Sequence, residues 1–516
     1  MQLLASYLSG SWSQGSGSRV ALVNPATEAP IAEVATGGHD LAAAFGHARA
    51  VGARELGGLT FAQRAAVLGA LAKAIHGARE ELIALAVANG GNTRGDAKFD
   101  IDGGAATLAY YAELGASLAG ATALLGDGDP LQVGRTARMA GQHVWSRRPG
   151  VAIHINAFNF PGWGLCAKLA PALLAGMPVI AKPATATAHV AHRLVELFAP
   201  LMPRGALQLL VGPAGALLEH VGPGDVVALT GGSATARQLR AHDRLIAHSV
   251  RLNVEADSLN AAILGSDVEL TSETGALFLA DVTRDVTQKT GQKCTAIRRV
   301  LVPANRHAEV CDALHERFAA IAIGDPALET VRMGPLATAQ QLRDVREGIA
   351  RLATATEAVF GGIGEVSPIG VATGTGYFVG PVVRSTHAPM DCAPLNDHEV
   401  FGPVVTVATY DGSAGFAARF VARGQGCLVS SAYSDDRDWV AGFVGAASAW
   451  AGRLYLGSAK MAAQSPGPGT VLPSLTHGGP GRAGGGEELG GMRGLHAYMQ
   501  RTALEGDASV LKALLG

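Results

Sequence analysis

The chain has 516 residues, of which 48% are hydrophobic and 16% are charged, and its formal net charge is −2. This composition is typical of a globular protein with two or three domains and excludes a fibrous or largely disordered chain. The sequence is nearly neutral and contains no dense run of lysine and arginine, so it lacks the basic patch that is typical of nucleic-acid-binding proteins. We therefore expect small molecules and further copies of the chain as partners.

The N-terminal sequence gives no sign of export. MQLLASYLSGSW has neither the basic region nor the long apolar region of a signal peptide. The most apolar stretch, GLCAKLAPALLAGMPVIAKP, is interrupted by Lys168, Pro171 and Pro178, whereas a membrane span needs about 20 apolar residues. These features predict a cytoplasmic protein that does not enter the membrane.

Residues 40 to 90 have a helical pattern. Thr60 and Gln63 have the spacing of a capping box at a helix start. The apolar positions that follow fall on one helix face: Val67, Leu68, Leu71 and Ile75. We expect these helices to form the outer layer of an α/β domain.

From residue 150 onward, short apolar runs alternate with helical segments. The runs are VAIHI, CAKLAPALLAG, PVIAK, AHRLVELFAP, ALQLLVG, VVALT and ATARQLRAH. This order predicts right-handed crossovers and a parallel sheet that can bind a nucleotide at its strand ends. A second α/β series runs from RLNVEADSLNAAIL to GRLYLG, and WSRRPGV resembles a strand of a small appended sheet. Taken by itself, the glycine-rich segment HGGPGRAGGGEELGG reads as a flexible surface loop.

The five cysteines do not form a metal-binding or disulfide pattern. They are Cys166, Cys294, Cys311, Cys392 and Cys427, an odd number without CxxC spacing or a companion histidine cluster. We therefore expect no bound metal. In TGQKCTAIRR, Cys294 follows a turn marked by glycine, and taken alone it is either a small buried hydrophobic residue or a nucleophile.

A series of ordered motifs resembles the aldehyde dehydrogenase superfamily. The first is NAFNFPGWGLCAKLAPALLAGMPVIAKPATAT at residues 156–187, and the others follow in the family's order: LTGGSATA, NVEADSLN, GQKC, GDP, GPL and HEVFGPVV. The resemblance implies an α/β fold with a Rossmann-type cofactor domain, an α/β catalytic domain and a small β element for oligomerisation. It places an NADP-binding domain at residues 1–125 and 148–252 and a catalytic domain at residues 253–465. The oligomerisation or bridging element comprises residues 126–147 and 466–516.

The resemblance also implies catalytic roles. Cys294 attacks the aldehyde carbonyl, because a thiolate is a soft nucleophile once its pKa is lowered. Asn159, with the backbone N–H of Cys294, stabilises the oxyanion. Glu255 is the general base that activates the water molecule for hydrolysis of the thioester. Its semi-apolar pocket is expected to raise the pKa of this carboxyl group towards neutrality. Lys168 relays a proton, although a lysine on a helix surface is an alternative.

The cofactor residues implied by the resemblance are Phe158, Lys182, Thr185, Gly231, Gly232, Ser233, Ala256, Glu399 and Phe401. Gly231, Gly232 and Ser233 lie between a strand and a helix N-terminus that can hold a pyrophosphate. Members of the family that prefer NAD commonly have glutamate at the position of Thr185. A neutral hydroxyl beside Lys182 accepts a 2′-phosphate, so we expect NADP as the cofactor.

The substrate class also follows from resemblance. EADSLN, KPATATA and the tail resemble a branch of the family that oxidises CoA-linked semialdehydes in aerobic degradation of aromatic compounds such as benzoate. That branch implies a free-acid product, a CoA-thioester semialdehyde as substrate and a homodimer or higher homo-oligomer. Where the family has Glu-Leu-Gly-Gly-Lys, this chain has Glu-Ala-Asp-Ser-Leu at residues 255–259. Asp257 in this segment either acts in the reaction or caps a turn. A CoA-acylating or general aliphatic aldehyde dehydrogenase, a non-redox cysteine hydrolase and a silent structural relative are the alternatives.

Overall fold

The computed structural model describes residues 1–118, 124–364 and 366–515. The predicted domain ranges also include residues 119–123, 365 and 516, which lie outside the described residues. Within the described ranges, the strands form two sheets of seven strands and two sheets of three strands. This arrangement confirms the predicted α/β fold.

The first large sheet carries the nucleotide-binding pattern. Five of its strands are parallel neighbours, and most of their residues are buried, as expected for strands with helices on both faces. Two short N-terminal strands extend the sheet in antiparallel pairing. In spatial order, the strands are Arg251–Glu255, Val226–Thr230, Ala152–Ile155, Val179–Lys182, Leu207–Leu209, Ser6–Leu8 and Ser11–Ser13.

The second large sheet follows the predicted second series. It is parallel except for one edge strand, Glu357–Phe360, which pairs antiparallel. The remaining strands in spatial order are Val382–Thr386, Val404–Tyr410, Ile297–Pro303, Asn260–Leu264, Cys427–Tyr433 and Ala451–Gly457.

One strand belongs to a different sheet from the one that its sequence position indicated. The prediction that RLNVEADSLNAAIL lies wholly in the second series is wrong, because Arg251–Glu255 pairs along its whole length with Val226–Thr230 of the first sheet. Only Asn260–Leu264 joins the second sheet. The predicted domain boundary at 252/253 therefore falls inside a strand. Apolar runs identify strands, but they do not identify which strands pair.

Two small sheets complete the fold. An N-terminal sheet contains Gln2–Leu4, Pro30–Gly37 and Ser16–Val23. An antiparallel sheet contains Met499–Asp507, Met139–Arg147 and Leu124–Gln132, and it includes the segment WSR that was expected to form a small appended sheet.

Helices cover the sheets as the alternating pattern predicts. Thr60 and Gln63 form the predicted capping box, with Gln63 N–H donating to Thr60 Oγ1 at 3.1 Å and Thr60 N–H donating to Gln63 Oε1 at 2.9 Å. In the described ranges, no helix is both long and apolar enough to cross a membrane. The longer helices are Phe61–Gly77, Arg79–Gly90, Arg94–Ser117, Trp163–Leu174, Ala188–Phe198, Ser233–Arg240, Glu273–Thr287, His307–Ala319, Ala339–Ala353, Ala414–Arg423, Arg437–Ala447 and Ala508–Leu515. The shorter helices are Leu41–His47, Ala53–Gly57, Asp243–Ala247, Ala393–Asp397 and Met492–His496.

The most apolar stretch of the sequence forms part of the core. In the helix Trp163–Leu174, every residue except Gly164 is buried. It packs against the helix Arg94–Ser117 on one side and lies beside the parallel strands on the other. Burial in the protein interior therefore accounts for its apolar sequence.

Candidate active site

A cavity of about 500 Å³ opens at the carboxyl ends of the first sheet's parallel strands. Ile155, Lys182, Thr230 and Glu255 are the last residues of four of these strands, and all four line the cavity. Ligands of open parallel sheets bind at this edge, because helix N-termini and loops converge there. The cavity is therefore the candidate dinucleotide site.

Eight of the nine residues expected to bind the cofactor line this cavity. They are Phe158, Lys182, Thr185, Gly231, Gly232, Ala256, Glu399 and Phe401. The ninth, Ser233, does not line the cavity, and its backbone N–H donates to Asp257 Oδ1 at 2.9 Å. Asp257 therefore accepts a hydrogen bond from the first N–H of the helix that follows Gly232, which is a capping contact.

Lys182 and Thr185 lie together at one end of the cavity. Lys182 ends its strand, and its Nζ donates to the carbonyl of Pro183 at 3.0 Å, which leaves two of its three N–H groups for a ligand. Burial lowers the pKa of Lys182. The carboxylates that line the cavity are Glu255, Asp257 and Glu399; Glu255 ends the strand Arg251–Glu255, Asp257 follows it, and Glu399 follows the helix Ala393–Asp397.

Glu399 and Phe401 also line the cavity. The Phe401 ring packs edge-on against Phe158, with 5.9 Å between the ring centroids, and Arg298 lies 5.3 Å above it. Glu399 accepts a hydrogen bond from the Ser258 N–H at 2.9 Å and pairs with Arg298 at 3.1 Å. Burial raises the pKa of Glu399 to about 7, although Arg298 opposes the shift.

Cys294 lies in a tightly held loop after the helix Glu273–Thr287. Gly291 has φ of +67°, and a side chain there would collide with the carbonyl of Gly402, so the glycine is required for the turn. Lys293 forms a buried ion pair with Asp285 at 2.8 Å, and Asn260 Nδ2 donates to the Cys294 carbonyl at 2.8 Å. These contacts fix the position of Cys294.

Cys294 lies where the dinucleotide cavity meets a second, smaller pocket. Its side chain is partly accessible, whereas the other four cysteines are buried. The two pockets share Cys294, Glu255 and Asn159 in their walls. Burial and the negative charge of Glu255 raise the pKa of the Cys294 thiol well above its ordinary value. This shift is opposite to the lowered pKa expected of the nucleophile, so a neighbouring base has to remove the thiol proton.

Two donors face the region around Cys294. Asn159 Nδ2 donates to the carbonyl of Gln292 at 3.0 Å, and its second N–H is free for another acceptor. Among the described residues, none accepts the backbone N–H of Cys294. An amide and a backbone N–H on adjoining loops form the type of donor pair that stabilises an oxyanion.

Glu255 is held in a buried ion pair with a residue that the sequence did not single out. His477 Nε2 lies 2.9 Å from Glu255 Oε2, and both side chains are almost inaccessible. Burial raises the pKa of Glu255, but His477 and Lys168 outweigh it and hold the pKa well below the ordinary value. The expected shift towards neutrality is therefore wrong in direction, because the sequence does not show these cationic partners.

The Glu255 carboxylate, the Cys294 sulfur and the His477 imidazole form one cluster. Their nearest ligand-type atoms all lie within 4.8 Å of one another. The Cys294 thiol hydrogen-bonds to the Glu255 carboxylate. Among the described residues, no hydrogen bond joins His477 to Cys294, and the partner of His477 is Glu255. Glu255, rather than His477, is therefore the base beside the thiol.

Lys168 is a buried residue in this site and does not lie on a helix surface. Its Nζ lies 2.8 Å from Glu488 Oε1, and it also donates to Thr230 Oγ1. Thr230 Oγ1 in turn donates to Glu488 Oε1 at 2.8 Å. Burial raises the pKa of Glu488, and Lys168 opposes that shift. These side chains connect the wall of the Cys294 pocket to the C-terminal tail.

The pocket on the far side of Cys294 is narrow and mostly apolar. It has a volume of about 60 Å³ and is walled by Phe160, Trp163, Val471 and Leu489, among others. A further cavity of about 490 Å³ continues outward past Trp163 and Val471. The two form an apolar corridor that can admit an extended chain as far as the sulfur.

His477 and Glu488 reach the site through the glycine-rich tail. Side chains at Gly484 or Gly486 would collide with the backbone of Val254, so glycines allow the tail to pack against the strand that ends at Glu255. The tail is thus a packed part of the site. The sequence signal was present in THGGPGRAGGGEELGG, but glycine content alone does not reveal where a segment packs.

Comparison with known proteins agrees with this geometry. The model of the aldehyde dehydrogenase family matches residues 12–504. The chain is 40% identical over 479 residues to 3,4-dehydroadipyl-CoA semialdehyde dehydrogenase of Aromatoleum evansii, covering 92% of this chain and 93% of that relative. It is 30% identical to alpha-ketoglutaric semialdehyde dehydrogenase of Bacillus subtilis (strain 168), covering 68% of this chain and 69% of the relative.

Solved structures show the same fold at lower identity. Lactaldehyde dehydrogenase from Escherichia coli has a TM-score of 0.84 at 24% identity and covers 97% of this chain and 98% of its own. Betaine aldehyde dehydrogenase from Staphylococcus aureus, in complex with NAD⁺, has a TM-score of 0.84 at 21% identity and covers 98% and 96%. The chain belongs to the aldehyde dehydrogenase family and is an oxidoreductase that oxidises aldehydes with a nicotinamide dinucleotide.

Proposed function

We propose that the protein oxidises 3,4-dehydroadipyl-CoA semialdehyde to the free acid with NADP, in aerobic degradation of benzoate. The observation that carries the proposal is the position of Glu255, a buried carboxylate with a lowered pKa, beside Cys294 at the junction of the two pockets. A carboxylate in that position can accept the proton of the Cys294 thiol in the first step. It can also accept a proton from the water molecule that later attacks the thioester on Cys294.

Cys294 and Glu255 supply the first step. Because the pKa of Cys294 is raised and that of Glu255 is lowered, the resting pair is a thiol beside a carboxylate. Glu255 accepts the thiol proton as sulfur attacks the aldehyde carbon, so the negative charge moves to the aldehyde oxygen. The Asn159 amide and the Cys294 backbone N–H stabilise that oxyanion.

When bound, the dinucleotide supplies the hydride acceptor for this oxyanion. Phe158, Glu399 and Phe401 would hold its nicotinamide ribose and ring, and Lys182 and Thr185 would hold its adenosine ribose; all five line the cavity. The fit is supported by the free N–H groups of Lys182 and by the cavity's location at the strand ends.

The remaining thioester is released by water. Once Glu255 has given up the proton that it took from Cys294, it takes a proton from the attacking water molecule. When the C–S bond breaks, this proton passes to sulfur, so the acid departs and Cys294 is restored as a thiol. Lys168, Glu488 and Thr230 form a hydrogen-bonded chain beside Glu255 that can carry the accepted proton away. The presence of Glu255 favours hydrolysis over transfer of the acyl group to coenzyme A.

The preference for NADP is supported by the charges near Thr185. Lys182 is the cationic residue beside it, and a neutral hydroxyl at position 185 does not repel a 2′-phosphate. A glutamate there would accept hydrogen bonds from the ribose hydroxyls and disfavour the phosphate.

The substrate assignment is supported by the Aromatoleum evansii relative and by the apolar corridor. The inner pocket of about 60 Å³ is too small for a nucleotide, so the semialdehyde end enters while the CoA portion remains outside. We also propose a homodimer or higher homo-oligomer built through the small sheet of Leu124–Gln132, Met139–Arg147 and Met499–Asp507. The free cysteines suit the reducing cytoplasm.

The test is an initial-rate comparison with purified protein. NADPH and NADH formation are measured at equal cofactor concentrations, with the CoA-linked semialdehyde and with a plain aliphatic aldehyde of similar length. The expected result is preferential NADPH formation with the CoA-linked substrate and a free-acid product identified by mass. Predominant NADH formation, a new thioester product or equal oxidation of the plain aldehyde would contradict the proposal.

A further inference from the structure

We propose that Asp257 is a specificity-determining residue that weakens dinucleotide binding and speeds dinucleotide release. It does so by placing a fixed negative charge at the phosphate-binding end of the helix Ser233–Arg240. This inference rests on the proposed dinucleotide site, and it concerns how tightly that site holds its occupant.

The geometry is a direct hydrogen bond between the carboxylate and the helix N-terminus. The backbone N–H of Ser233, the first residue of the helix, donates to Asp257 Oδ1 at 2.9 Å. Asp257 itself is half-buried and lines the dinucleotide cavity together with Gly231 and Gly232. The carboxylate therefore faces the place where a pyrophosphate would be bound.

The backbone on both sides of Asp257 is fixed. Ala256 N–H donates to the carbonyl of Ala483 at 3.0 Å, and Ser258 N–H donates to Glu399 Oε2 at 2.9 Å. Because both neighbours are held, Asp257 can leave the helix N-terminus only by rotating its own side chain. A pyrophosphate near the helix would then still have a carboxylate close by.

The physical conflict is between two anions at one donor. Helix N-termini attract anions because their first N–H groups are unpaired and the helix dipole is positive there. Asp257 already uses the Ser233 N–H and compensates part of that positive potential. A phosphate must either displace the carboxylate or bind beside it, and like charges repel in both cases.

Two consequences follow for the dinucleotide. Its equilibrium affinity is lower than the cavity would otherwise provide, and its dissociation is faster. Faster release suits an enzyme in which the reduced dinucleotide must leave after each turnover.

The test compares the full-length protein with two variants at Asp257. Asp257→Asn preserves an oxygen acceptor for the Ser233 N–H and removes only the charge, whereas Asp257→Ala removes both. NADP affinity is measured by calorimetry, and NADPH dissociation is measured by stopped-flow displacement without an aldehyde. Asp436→Asn is the matched control, because Asp436 caps the helix Arg437–Ala447 and does not line the cavity.

We expect Asp257→Asn to lower the Kd for NADP and to slow NADPH dissociation by roughly threefold to tenfold. The difference should shrink at high salt, because screening reduces the repulsion. Asp436→Asn should match the wild type. Unchanged or weaker binding by Asp257→Asn would overturn the inference while leaving the proposed function intact. Failure of the wild type and both variants to bind any nicotinamide dinucleotide would overturn both.

Discussion

His477 Nε2 lies 2.9 Å from Glu255 Oε2 in a pocket from which solvent is almost excluded. This ion pair, together with Lys168, keeps the pKa of Glu255 low despite its burial. Because its pKa is lowered, the Glu255 carboxylate is ionised at neutral pH and can accept a proton from Cys294. We therefore treat His477 as a positioning residue that acts through Glu255.

Replacing His477 by Gln should move the acidic limb of the pH–rate profile to higher pH. The change removes the interaction of the His477 imidazole with the carboxylate, so burial of Glu255 is less opposed and the pKa of Glu255 rises. The loss of kcat/KM relative to the wild type should therefore be larger at low pH and smaller at high pH. The measurement is a pH profile of kcat/KM, and a loss that is equal at every pH would indicate a purely structural role.

The same pKa shift has a consequence for folding. Because the pKa of Glu255 in the folded protein is below its ordinary value of 4.5, the ionised carboxylate stabilises the fold above that pH. That contribution is lost as the pH falls towards the lowered value. Unfolding measured between neutral and acidic pH should show a smaller acid destabilisation in Glu255→Gln than in the wild type.

Cys294→Ala should abolish aldehyde oxidation while leaving dinucleotide binding intact. We expect kcat to fall at least about 10³-fold, because no other group can form the covalent intermediate. Steady-state rates and NADP calorimetry on the same preparation check both statements. Cys311→Ala is the control, since Cys311 is buried in the core of the second sheet and should retain activity. Substantial turnover by Cys294→Ala would contradict the assignment of the nucleophile.

Glu255→Gln should separate hydride transfer from thioester release. Loss of a general base typically costs about 10² to 10⁴ in rate. The variant removes the Glu255 charge, one of the causes that raise the pKa of the Cys294 thiol. More of the thiol should therefore ionise at alkaline pH, and a burst of about one NADPH per active site should precede a slow steady state. Rapid-quench kinetics measure the burst, and mass spectrometry should find an acyl adduct on Cys294. A uniformly slow reaction without a burst would show that Glu255 is also essential for the first step at high pH.

Thr185→Glu should reverse the preference between NADP and NAD. The new carboxylate would repel the 2′-phosphate near Lys182, so NADP affinity should fall at least about tenfold. NAD affinity should be unchanged or improved. Thr185→Gln is the matched control because it has the same size without the charge. Equal effects of the Glu and Gln variants on NADP binding would indicate a steric cause.

Lys168→Met should destabilise the protein by about 3 kcal/mol, because it leaves Glu488 buried without its partner. Burial raises the pKa of Glu488, so the destabilisation should grow as pH rises and the carboxyl group ionises. Thermal unfolding at several pH values measures this. The double variant Lys168→Met/Glu488→Gln should recover part of the loss, and the absence of recovery would contradict the pairing.

The sequence indicated the fold because local patterns specify the strands, the helices and their order. The alternation of apolar runs and helical segments fixes an α/β fold, and the Thr60–Gln63 capping box depends on residues three positions apart. The sequence could not assign Arg251–Glu255 to its sheet, because strand pairing depends on residues far away in the chain.

The candidate site divides in the same way. The sequence by itself determined Cys294, Asn159, Glu255, Lys182 and Thr185 as candidates, because each stands in a motif with a family resemblance. Only the tertiary structure decided which charges surround them. The tail brings His477 to Glu255 and Glu488 to Lys168, and the loop after Glu255 brings Asp257 to the helix of Ser233. A pKa depends on burial and on charges a few ångströms away, and neither can be read from the order of residues.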